Sequence, residues 1–167
     1  TLDLTSNLSL SSDVSGLTIG KAGNTANITI NSAQTIAGPI SVYGGNITAN
    51  QNITSTASGA DILLKGSGNI TLAASKAIQA NNGDVIFWAD SDANGGFITV
   101  NAGASISTQG GNLVLAGGLD DGSSNGSVAS DGIPDGFAWR KTADSDFGGL
   151  SLGEGVIASP ALISLLS

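Results

Sequence analysis

One triplet constrains the fold of this chain more than anything else in it. Asn-Ile-Thr occurs at 27–29, 46–48, 52–54 and 69–71, and Phe-Ile-Thr follows at 97–99. Around each copy apolar and polar residues alternate with the two-residue period of a β-strand. Following the alternation outward predicts three short strands per repeat, here called A, B and C. Strand A carries the apolar pairs Leu2/Leu4, Ile28/Ile30, Ile47/Ala49, Ile70/Leu72, Ile98/Val100 and Leu150/Leu152. Strand B contributes Leu8, Ile36, Ile53, Ile78, Ile106 and Ile157. Strand C gives Leu17/Ile19, Ile40/Val42, Ile62/Leu64, Val85/Phe87, Leu113/Leu115 and Ile163/Leu165. The order holds through six repeats, whose starts at Leu2, Ile28, Ile47, Ile70, Ile98 and Leu150 lie 26, 19, 23, 28 and 52 residues apart.

Strands this short cannot hide an apolar side alone. Stacking every A on the previous A, and likewise B and C, closes one apolar column inside three parallel sheets. The expectation is an all-β chain, a right-handed parallel β-helix (β-solenoid) of about six three-strand coils, the hand following from the general rule for parallel crossovers. Each coil rises about 4.8 Å whatever its loop length, so unequal repeats are no obstacle. Turn formers such as Gly44-Gly45-Asn46 and Gly66-Ser67-Gly68-Asn69 mark the corners. The 25 glycines and 4% aromatics suit thin, closely stacked coils. An antiparallel sandwich would explain the alternation but not the fixed order of A, B and C.

Residues 1–167 read as a single solenoid segment, with 117–149 as a lateral excursion. The chain holds no Met and stops inside a strand C, so a longer parent is expected. No apolar run reaches transmembrane length. A net charge of −8, with five Lys and Arg set singly, makes nucleic acid and anionic membranes poor partners. The absence of His and Cys excludes His-based triads, thiol chemistry and zinc–thiolate sites. The outward carboxylates Asp3, Asp61 and Asp84 fall on different strands or at strand ends, and the sole Arg, Arg140, falls in a loop. That is not the paired-carboxylate pattern of glycosidic chemistry, so no enzymatic role and no catalytic residue are expected.

Irregularity concentrates at the C-to-A corner. It is short in the second and third coils, expands to Trp88–Gly96 in the fourth, and becomes the Gly117–Gly149 excursion in the fifth. Both insertions should lie side by side, on an edge of a rigid scaffold where binding usually resides. Asp90-Ser91-Asp92-Ala93-Asn94-Gly95 matches the first half of the D-x-[DN]-x-[DN]-G calcium loop, making Asp90, Asp92 and Asn94 candidate ligands for Ca2+. The twelfth position is Asn101 rather than the bidentate Glu of a full loop. Asp131-Gly132-Ile133-Pro134-Asp135-Gly136 looks like part of the Asp-rich calcium turns of bacterial surface repeats. The simpler reading, favoured by the incomplete motif, is that Asp and Asn cap turns.

Two outward rows matter. Strand A presents Thr29, Thr48, Thr71 and Thr99, then Ser151: a flat hydroxyl array of the kind ice-binding solenoids show, though Thr is also ordinary on an exposed strand. Strand C presents Leu63, Ile86 and Val114 beside Trp88, an apolar stripe that needs a cover. The excursion is expected to supply it, docking Phe137, Trp139 or Phe147; the alternative is a partner chain. Leu63, Ile86, Trp88, Val114, Phe137 and Trp139 are accordingly the candidate binding surface. Asn residues just before strand A are expected to stack as an amide ladder from coil to coil.

The stretch from Gly68 to Gly118 contains Gly68-Asn69-Ile70-Thr71, Gly83-Asp84-Val85-Ile86-Phe87 and Gly110-Gly111-Asn112-Leu113-Val114-Leu115. It resembles the repeats of filamentous haemagglutinin-like adhesins, large bacterial surface or secreted proteins built on a parallel β-helix, and the likeness extends over roughly residues 27–118. The resemblance implies an extracellular structural and adhesive segment. It would touch a host or neighbouring cell surface through a glycan or protein ligand, or associate with its own copies. The alternatives are a carbohydrate-acting β-helix of lyase, hydrolase or phage-tailspike type and, third, an ice-binding solenoid.

Overall fold

The computed structural model describes residues 2–4, 9–122, 128–136, 150–152, 156–158 and 163–165. Its described residues form seventeen strands and no helix. The first coil contributes β1 (Leu2–Leu4) and β2 (Leu17–Ile19). The second holds β3 (Ile28–Ile30), β4 (Gln34–Ile36) and β5 (Ile40–Gly44). The third holds β6 (Ile47–Ala49), β7 (Ile53–Ser55) and β8 (Ile62–Gly66). The fourth is β9 (Ile70–Leu72), β10 (Ala77–Ala80) and β11 (Val85–Ala89). The fifth is β12 (Ile98–Val100), β13 (Ser105–Ser107) and β14 (Leu113–Gly117). The last is β15 (Leu150–Leu152), β16 (Val156–Ala158) and β17 (Ile163–Leu165).

Like strands stack on like. The sheets run β1-β3-β6-β9-β12-β15, β4-β7-β10-β13-β16 and β2-β5-β8-β11-β14-β17. Every pairing between named strands is parallel, for example Ile47 opposite Ile70 and Ile70 opposite Ile98. The chain is therefore a parallel β-solenoid of three-strand coils. The Ile, Leu and Val at alternate positions point into the column, and Ile30, Ile53, Leu64, Leu72, Phe87 and Leu115 among others lose all solvent contact. β-Branched side chains suit these positions because their restricted rotamers pack well on a pleated surface.

Strand B corrects the sequence register. Ile36 was expected opposite Ile53, but Gln34 takes that place and Ile36 faces Ser55. A two-residue slip leaves every side chain on the same face, so alternation alone could not detect it. The inward Gln34 is 1% exposed; its Nε2 donates to the Ser32 carbonyl (3.0 Å) and to Ser32 Oγ (2.7 Å). Leu8, expected in the first strand B, lies outside the described residues.

Side chains also clamp the corners. Asn27 Oδ1 accepts the Asn46 N–H at 2.9 Å, Asn46 Oδ1 the Asn69 N–H at 2.9 Å, and Asn69 Oδ1 the Phe97 N–H at 3.0 Å. The expected amide ladder is thus present, bonding to backbone in the coil above. A second ladder precedes strand C: Asp61 Oδ1 takes the Asp84 N–H (2.8 Å) and Asp84 Oδ1 the Asn112 N–H (2.7 Å). Two of the outward carboxylates are therefore corner clamps. Stacking is tightest at Gly38, where an added Cβ would stand 1.9 Å from the Ser15 carbonyl oxygen, and nearly as tight at Gly111, 2.1 Å from that of Gly83.

Candidate binding edge

The C-to-A corner sets the shape of one edge of the rod. Between β5 and β6 it is only Gly45-Asn46, and between β8 and β9 only Ser67–Asn69. It is longer above, in Asp90–Phe97, and in the fifth coil it opens into the excursion. It is also long below, in the first coil, where Gly20–Asn27 links β2 to β3. Gly20 turns at φ +77°, and a side chain there would strike the Tyr43 carbonyl. The Asn24 amide fastens this corner by donating to the same carbonyl at 2.8 Å, while its oxygen accepts the Ala26 N–H at 3.1 Å.

The two upper insertions do lie together. The Gly118 N–H donates to the Asp90 carbonyl (3.2 Å), and the Trp88 indole N–H donates to the Gly118 carbonyl (2.7 Å). Trp88 points away from the column yet is 4% exposed. The Lys65 ammonium stands over its ring, 3.2 Å from the centroid, a cation–π contact. Burial there holds the Lys65 ammonium below the usual lysine range, and the nearby Asp120 charge pulls the other way. Trp88 is therefore a buried anchor between two loops rather than an open contact residue.

Within the excursion, residues 117–122 and 130–136 run antiparallel. Gly117 bridges Gly136, and the Asp135 N–H donates to the Leu119 carbonyl at 2.8 Å. Carboxylates lace the two limbs. Asp135 is 5% exposed, and its Oδ2 accepts the Asp121 N–H (2.7 Å) and the Gly122 N–H (2.5 Å). Asp120 accepts from Asp131 N–H and Gly132 N–H, and Asp131 Oδ1 from Ile133 N–H. Leu119, Val128 and Ile133 are the large apolar side chains left exposed among the described residues, and all three sit on this excursion.

Two of the three predicted calcium ligands, Asp90 and Asp92, cap backbone N–H groups. Asp90 is 2% exposed and its Oδ1 accepts the Gly95 N–H at 2.6 Å, while Asp92 Oδ1 accepts the Asn94 N–H at 3.3 Å. Asp92 and Asn94 are exposed. No group of three or more acidic, His or Cys side chains suited to a metal occurs among the described residues.

The apolar stripe is in register: Leu63 pairs with Ile86 and Ile86 with Val114. Leu63 and Ile86 are half-buried, whereas Val114 is 4% exposed, so its upper end is covered. Phe137, Trp139 and Phe147 lie outside the described residues. Sequence reasoning missed the neighbouring outward row, in which Tyr43 pairs with Lys65 and Lys65 with Trp88. It also missed the Gly20–Asn27 corner as part of the same edge. The signal was there, since that link is as long as the one after β11.

No family model, curated protein or solved structure matches this chain.

Proposed function

We propose that this chain is a structural and adhesive segment of an extracellular bacterial surface or secreted protein, its coils a stiff spacer and its C-to-A corner the contact edge. One observation carries the reading. The stacked coils are uniform, yet the long corners and all three exposed large apolar side chains of the described residues gather on that edge. A host or neighbouring cell surface, offering glycan or protein, is the partner class, and the filamentous haemagglutinin-like resemblance over residues 27–118 points the same way. To test it, residues 119–147 are replaced by a Gly-Asn link like that between β5 and β6. The variant should keep its β-rich circular dichroism and lose attachment to cells. Undiminished attachment would move the contact surface elsewhere.

A second reading has one observation in its favour. Thr29, Thr48, Thr71 and Thr99 stand in strict register on one face. Against it, the Thr99 hydroxyl oxygen is buried without a partner. Thermal hysteresis at millimolar protein would establish ice binding; none would remove it.

A further inference from the structure

The unequal corners leave a notch. Its walls are the first-coil corner, through Asn24 and Thr25, and the fourth-coil corner, through Ser91 and Asp92; the short corners of the two coils between form its floor. The notch encloses about 250 Å³. Tyr43 and Lys65, adjacent in the outward row, also line it.

We infer that this notch binds one neutral hexopyranose residue of a glycan. This rests on the reading of the corner as the contact edge and names the ligand class. The Tyr43 ring is part-exposed and offers an apolar plane for the C–H face of a pyranose. Asp92 is exposed at the opposite wall, an acceptor for sugar hydroxyls; Ser67, Ser91 and Thr25 add hydroxyls that both donate and accept. Other ligand classes fit poorly. The Lys65 ammonium lies over the Trp88 ring with the Asp120 charge nearby, and Asp92 adds a carboxylate, so the notch offers its occupant no net positive charge. Together with the net charge of −8, that disfavours phosphates and acidic sugars. A purely apolar ligand would strand Asp92 and the hydroxyls without partners. A metal ion would find a single carboxylate.

The test is saturation-transfer NMR on the intact chain with methyl glycosides of neutral hexoses, N-acetylhexosamines and uronic acids, each at about 10 mM, suited to a Kd on the order of 1 mM. At least one neutral hexoside should receive saturation, and the uronates should not. Tyr43→Ala should weaken binding by about tenfold or more and Asp92→Asn by severalfold, while Tyr43→Phe keeps the ring and the binding. Thr35→Ala, on the strand-B face, should change nothing, and circular dichroism should show each variant folded. The inference is overturned if no neutral hexoside receives saturation, or if binding survives both Tyr43→Ala and Asp92→Asn. Loss of cell attachment on replacing 119–147, without any hexoside binding, sinks the saccharide notch and leaves the adhesive reading standing. Hexoside binding by a chain that attaches to no cell does the reverse.

Discussion

The outward rows of strands A and C are built on the same coils at the same spacing, and they diverge completely. On strand A the residue is Thr in four successive coils. On strand C it changes from Thr18 and Ser41 to Leu63, Ile86 and Val114. Inward positions obey the column, which is the same at every height. Outward positions report what lies beside the rod, and among the described residues the strand C row is covered at its upper end, where Val114 and Trp88 are each 4% exposed. A single solenoid thus carries one face indifferent to neighbours and one face shaped by them.

The largest effect should come from placing the same charge on each row. Val114→Asp buries a carboxylate with no partner and should cost on the order of 3 kcal/mol or more, while Thr71→Asp should cost less than about 1 kcal/mol. Urea unfolding of both variants decides it; equal losses would erase the distinction between the faces. Next, Trp88→Phe removes the donor to the buried Gly118 carbonyl and should cost about 1–3 kcal/mol, with faster proteolysis in 118–122. Unchanged cleavage would mean that the indole does not tie the loops together.

A smaller change tests the amide ladder, which serves both faces. Asn46→Ala leaves the Asn69 N–H without its partner and should cost about 1 kcal/mol. Asn46→Asp should recover most of it, since Asp61 and Asp84 perform the same task at the other corner. The smallest effect concerns pH. The Lys65 pKa is lowered on folding, so between its folded and unfolded values the unfolded chain binds more protons and stability rises with pH. Lys65→Met should flatten that alkaline rise. A steeper curve would contradict the direction of the shift.

Sheets A and C were legible from sequence because each inward pair recurs with bulky apolar residues that admit one alignment. Strand B was legible from Ile53 through Ile78 and Ile106 to Ile157 but not in the second coil, where Gln34 reads as an outward residue, which pushed the assignment two places along to Ile36. The adjacency of the fourth- and fifth-coil insertions followed from topology alone, since loops at one corner must stack. Their chemistry did not follow. Asp90, spaced as a calcium ligand, is turned back onto Gly95, and spacing cannot show which way a carboxylate points. The notch was illegible for a different reason: its walls, Asn24 and Asp92, are 68 residues apart in sequence, and only coil stacking brings them opposite one another.

Phe97 is where the asparagine ladder stops, for a phenyl ring has no oxygen to offer the next coil. Every rung from Asn27 to Asn69 grips its successor, so tension applied along the rod would meet this ladder from the second coil through the fifth. Tyr43 and Asp92 both lie within that clamped stretch, so the contact edge would hold its shape while the spacer carries load.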